Sequence, residues 1–127
     1  MKSKEFTTVL TSEDKIDVKL AWENNKLWRF VINYRASIKD KWHEVYRVDN
    51  YNGFLHEQKF WRSPKPIIIN DKEGWSLKMV FDYYIEEVYC NFQDYKKYYE
   101  HNLNKNRTER ADENERKDTK KRVEKKS

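Results

Sequence analysis

Apolar residues occupy every second position from Ile16 through Val18, Leu20 and Trp22, and the same even parity resumes at Trp28, Phe30, Ile32, Tyr34, Ala36 and Ile38. A period of two sustained over that length predicts half-buried strands. The break at Asn24, Asn25 and Lys26 predicts a three-residue hairpin loop that sets Trp22 against Trp28, Leu20 against Phe30 and Val18 against Ile32. A second break at Lys39, Asp40 and Lys41 sets Ile38 against Trp42, Tyr34 against Tyr46 and Ile32 against Val48. A further strand is expected near Leu55 to Trp61, and a short one from Glu5 to Thr11. Pro64 and Pro66 close the strand region, after which Ile67, Ile68 and Ile69 read as a short buried extended piece before a turn at Asn70 to Gly74.

Beyond that turn the period changes. Leu77, Phe81, Tyr84, Ile85, Val88, Phe92, Tyr95 and Tyr99 recur at helical spacing behind Trp75 or Ser76 as N-cap, and no proline interrupts them. One amphipathic helix of roughly 25 residues, at about 1.5 Å rise each, is long enough to cross and cover a small sheet. The fold expected is α+β: an antiparallel meander of four to five strands with one long C-terminal helix packed on one face. Residues 1–103 form a single domain, and residues 104–127 a charged basic tail, either disordered or a helical extension.

Charge sharpens that division. Of the net +5, residues 102–127 contribute +4, with ten Lys or Arg and six Asp or Glu against only Leu103, Ala111 and Val123 as apolar groups. A segment so composed cannot bury itself, and it supplies salt-dependent attraction to phosphates. Basic charge together with 16% aromatic residues fits a nucleic-acid or acidic-protein partner. The single cysteine, Cys90, excludes an intramolecular disulfide and is expected as a small buried or half-buried helix residue. With no apolar run near the ~18 residues of a membrane span, and Lys2, Ser3, Lys4 and Glu5 at the start, the chain reads as soluble and cytoplasmic, with no membrane partner.

If even positions face the helix, the odd ones display Arg29, Asn33, Arg35, His43, Arg47 and Asp49 on the other face, interrupted by Val31 and Val45. The register sets Asn33 opposite Arg47 and Val31 opposite Asp49. Arginine's planar fork suits phosphate oxygens, so this face is the candidate ligand surface, although cross-strand ion pairs on a solvated face account for the same residues. The strand then leads into Arg47, Asp49, Asn50 and Asn52, past Gly53, to His56. One of only two glycines at this place implies a positive φ or a close backbone approach. As plain turn chemistry, Asp49 or Asn50 forms an Asx-turn. As a site, RNA phosphodiester cleavage needs a base, an acid and positive charge, which His56, Asp49 and Arg47 supply in that order; Lys59 adds a cation, and an imidazole ordinarily titrates near ~6.5. Tyr51 and Phe54 flank the polar run as stacking candidates, with Arg35 and Asn50 beside them as nucleic-acid ligands. His43, His56 and His101 lack metal-ligand spacing, and the chain has no glycine-rich phosphate loop, so no metal or cofactor is expected.

The order of parts, a meander, an Arg-x-Asp-Asn segment, a glycine, a histidine and a long helix, resembles the TumE-like small toxins of toxin–antitoxin systems over residues 16–100. In that family a Tyr-Asp-Asn motif leads to a glycine and a histidine-rich turn; here Val48, Asp49, Asn50, Gly53 and His56 stand at the matching places, with Val48 where the tyrosine would be and Glu57 and Gln58 after His56. The resemblance implies a metal-independent ribonuclease acting on cellular RNA and held in check by an antitoxin with a helix-turn-helix domain. The expectation is an intracellular toxin-like protein that binds and cleaves RNA. The alternatives are a non-catalytic nucleic-acid-binding module and a partner-binding module of a mobile element or virus. In the last, an edge carrying Phe60 and Trp61 pairs with another chain, and a homodimer is one such pairing.

Overall fold

A computed structural model of the chain describes the backbone of residues 1–126 and the side chains of residues 1–105. Six strands, β1 (Lys2–Thr11), β2 (Asp14–Glu23), β3 (Lys26–Ile38), β4 (Lys41–Asp49), β5 (His56–Lys59) and β6 (Ile67–Ile68), form one antiparallel sheet in strict chain order, followed by helix α1 (Leu77–Lys126). The expected α+β meander is therefore present with more strands than expected. The helix is twice the expected length; the side chains of the charged tail lie, from residue 106 onward, outside the described residues.

The β2–β3 and β3–β4 connections are two-residue turns, Asn24–Asn25 and Lys39–Asp40, with all four residues at positive φ (52°, 63°, 54° and 63°). Consecutive left-handed residues make a type I′ turn, whose twist matches that of the strands it joins. The expected three-residue loops are thus one residue too long, and each strand pair absorbs the difference in a bulge. Ala21 faces Arg29 and Trp22 faces Leu27, so Trp28 is an extra residue and does not meet Trp22. Tyr34 faces Tyr46 and Arg35 faces Glu44, so Val45 is extra and Ile38 pairs with Lys41 instead of Trp42. Away from the bulges the expected pairs hold, with Val18 opposite Ile32, Leu20 opposite Phe30, and Ile32 opposite Val48.

A bulge shifts register by one residue and so reverses which face each following side chain takes. Val45 itself is fully buried in the core. His43, expected beside the arginines, instead faces α1, where its Nδ1 lies 3.0 Å from the Tyr99 hydroxyl. Trp42 takes the outer position and receives the Lys15 ammonium 4.2 Å above its ring.

The inner face, Ile16, Val18, Phe30, Ile32, Tyr34, Ala36, Tyr46 and Val48, packs against Val80, Tyr84 and Val88 of α1. Edge-on rings join the layers at Phe30–Phe81 and Tyr34–Phe92, with centroids 5.7 and 5.8 Å apart. Ser76 caps the helix by accepting a hydrogen bond from the Met79 N–H at 3.2 Å. Two core phenols each bring a carboxylate: Tyr34 donates to Asp14 and Tyr46 to Glu57. Burial first, and then those carboxylates, pushes both phenols well above the usual tyrosine range; burial also pushes Tyr95 up to about 12.

Three further expectations are corrected. Ile67 and Ile68 are exposed edge residues, and only Ile69 reaches the core. Cys90 is exposed on α1. Trp61 is no open edge, because its ring lies 5.1 Å from Tyr95 and 5.7 Å from Tyr98 of the helix.

Candidate nucleic-acid interface

The face of the sheet opposite α1 is built from the positions that alternate with the core. The register brings Asn33 opposite Arg47, Val31 opposite Asp49 and Asp49 opposite His56, so three strands deliver their polar groups to one end of the face. Asp49 is the hub, with its side chain only 2% exposed. Its Oδ2 accepts from Arg47 Nε at 2.8 Å, and its Oδ1 accepts from the Tyr51 N–H at 2.9 Å and lies 3.1 Å from His56 Nε2. The Asx-turn to Tyr51 and the charged constellation therefore coexist in one carboxylate.

His56 is held from both sides. Its Nδ1 lies 3.0 Å from the carbonyl oxygen of Phe54, so each ring nitrogen faces a protein oxygen. This arrangement does not match the roles expected of the three residues. A general base must reach the substrate with a free lone pair, whereas both nitrogens of this ring are turned to protein oxygens, and the buried Asp49 carboxylate is already engaged by Arg47 and the Tyr51 amide. Arg47 differs. Only its Nε has a partner among the described residues, and its side chain is 38% exposed, which leaves two terminal nitrogens for an anion.

The remaining expected site residues divide. Tyr51 is half exposed on this face, and the Arg29 guanidinium sits 5.3 Å from its ring. Arg35 is on the face but shared between Asp17, at 3.2 Å, and Glu44, at 3.9 Å. Asn50 is tied to the backbone of β3: its Oδ1 accepts from the Phe30 N–H and its Nδ2 donates to the Trp28 carbonyl, each at 2.9 Å, continuing the ladder past the end of β4. Lys59 is excluded by parity, since it pairs with Tyr46 on the helix side and lies 3.9 Å from Glu57. Gly53 has φ 81° with open space where a side chain would begin, so it provides the left-handed turn and not a close approach.

Two shallow clefts flank this end of the face, one of about 450 Å³ reaching Asp17, Lys19 and Glu5, the other of about 420 Å³ reaching His56, Gln58 and Phe60. Arg47 and Tyr51 line both and form the ridge between them. Glu5, Asp17, Lys19 and Glu44 were not singled out from the sequence; for the first three the signal was the same period of two, which acquires meaning only once β1 is in register beside β2, whereas Glu44 reaches this face only through the bulge at Val45. Among the described residues no group of His, Cys, Asp and Glu is placed to hold a metal ion, and no helix is long and apolar enough to cross a membrane.

These features define a class, an α+β protein whose helix covers one sheet face and whose open face carries a basic and aromatic ridge. Within it, the chain belongs to the family described as "Domain of unknown function (DUF7718)", which matches residues 1–105. No curated protein and no solved structure matches the chain.

Proposed function

We propose that the open face binds single-stranded RNA, with Arg47 on a phosphate, Tyr51 stacked on an unpaired base, and Asp49 with His56 as the brace that aims Arg47. The observation that carries this reading is the one-sided tether of Arg47, held through Nε by a buried carboxylate beside a half-exposed aromatic ring. A guanidinium fixed along one edge offers its remaining fork to phosphate oxygens, and an adjacent ring suits a single strand, whose bases are free to stack.

Fluorescence anisotropy with an unstructured oligoribonucleotide, repeated over a salt series, tests it. Affinity falls steeply with salt, Arg47→Ala weakens binding and lowers the salt slope by about one, and Tyr51→Ala costs about 1–3 kcal/mol. Unchanged affinity in both variants refutes the assignment. The 3.1 Å contact between Asp49 and His56 favours a second reading, a toxin-like ribonuclease in which substrate turns the imidazole away from the Phe54 carbonyl. Cleavage products that form with the parent chain and vanish with His56→Ala would establish that reading; binding without products at any pH supports the first.

A further inference from the structure

The two edges of the sheet are unequal. β6 presents two residues next to Pro64 and Pro66, whereas β1 presents ten with no proline, and Lys2 through Thr7 are all exposed. An edge strand carries a row of unpaired backbone donors and acceptors that templates another strand unless bulges, prolines or charges block it. On β1 the irregularity lies at the far end, between Val9 and Thr11, and the charges Lys2, Lys4 and Glu5 block only those registers that bring like charges together.

We propose that β1 pairs antiparallel with β1 of a second copy of this chain, Phe6 facing Phe6 across a two-fold axis. In a continuous sheet, residues that meet must share a face, so a symmetric pairing is centred on one residue. Centred on Lys4 or Glu5, it sets like charges directly against each other. Centred on Thr7 or later, it runs across the irregularity to Thr11. Centred on Phe6, it sets Lys4 against Thr8, Glu5 against Thr7, Ser3 against Val9 and Lys2 against Leu10, and no like charges meet. The Phe6 ring, 37% exposed with the Lys4 ammonium 5.1 Å from its centroid, gains its own copy as a cross-strand partner.

The axis stands perpendicular to the sheet and therefore keeps faces together. Both helices lie on one side and both open faces on the other. Glu5 and Thr7 line the larger cleft, so the two clefts approach each other across the new seam and form one elongated groove. The pairing does not depend on what that groove binds.

Light scattering on the full chain, without nucleic acid and over a concentration series, tests the pairing. The expected mass is twice 15.8 kDa. Phe6→Lys and Phe6→Glu each place like charges across the axis and return the mass to that of one chain, while an equimolar mixture of the two regains the doubled mass. Phe6 is 37% exposed and outside the core cluster, and far-UV circular dichroism confirms that both variants fold. A parent chain of single mass at every concentration overturns the proposal, as does a dimer indifferent to both substitutions or a mixture that stays monomeric.

Discussion

Replacing Asp49 with alanine removes the acceptor on which the Arg47 guanidinium, the Tyr51 amide and the His56 imidazole converge at 2.8, 2.9 and 3.1 Å. Because the carboxylate is 2% exposed, water does not replace it without opening the strand ends. A hydrogen bond to a charged group contributes about 1.5–3 kcal/mol, and breaking a buried ion pair costs about 3–5 kcal/mol. The Arg47 side chain is 38% exposed and recovers hydration, which reduces its share toward the ~1 kcal/mol of a surface pair. The loss expected for Asp49→Ala is therefore about 3 kcal/mol, and for Asp49→Asn, which keeps the volume and one acceptor, about 2 kcal/mol. Urea unfolding followed by tryptophan fluorescence measures both. A cycle with His56→Ala should return a coupling of about 1 kcal/mol or more, since the two groups share one contact. A loss below about 1 kcal/mol, or strict additivity with His56→Ala, would refute the brace. Full stability accompanied by loss of RNA cleavage would instead mark Asp49 as a catalytic group.

Three other outcomes follow from the same coordinates. Burial raises the phenols of Tyr34, Tyr46, Tyr84, Tyr95 and Tyr99 above 10.0, so at high pH the folded chain holds more protons than the unfolded one. Their contribution to stability is intact below about pH 10 and is lost as pH rises beyond it; tyrosinate absorbance should grow together with the loss of circular dichroism, and ionisation of these groups in a folded chain would contradict their burial. Lys39 and Asp40 occupy left-handed positions that Asn-Gly fills at lower cost, so Lys39→Asn with Asp40→Gly should add about 0.5–1 kcal/mol and raise the melting temperature, while a fall would deny the type I′ turn. If the proposed RNA contact is right, Arg47→Ala weakens binding more than Arg35→Ala does in side-by-side titrations; the reverse order would assign the phosphate contact to Arg35 instead.

Where one residue per step was enough, the architecture could be read from the chain. The alternation at Ile16–Trp22 and Phe30–Ile38 gave β2 and β3, and the spacing from Leu77 to Tyr99 gave the packed face of α1. What parity could not carry was the insertion of a single residue. The extra residue of this bulge is apolar, so Val45 looked like a gap in the polar face when it was the place where that face changed sides. β1 was legible only in part, because it is an edge strand exposed over most of its length and its sequence is under weak pressure to alternate. For the same reason its contribution to the cleft, through Glu5 and Thr7, was not visible.

The β4 bulge also determines which arginine is left for a ligand. Without the extra residue at 45, His43 would stand near Arg35 on the open face; with it, Glu44 takes that place and contacts both Arg35 and the Asn33 amide. Arg35 is thereby divided between two carboxylates, and a phosphate drawn to it must compete with both. Arg47 lies beyond the bulge, where parity is undisturbed, and its one carboxylate is shared with His56 and the Tyr51 amide. The arginine with a single carboxylate partner therefore stands at the end of the face where the turn after β4 presents Tyr51, and the backbone insertion that turns His43 to the helix and brings Glu44 to Arg35 leaves that cation beside an aromatic ring in the open.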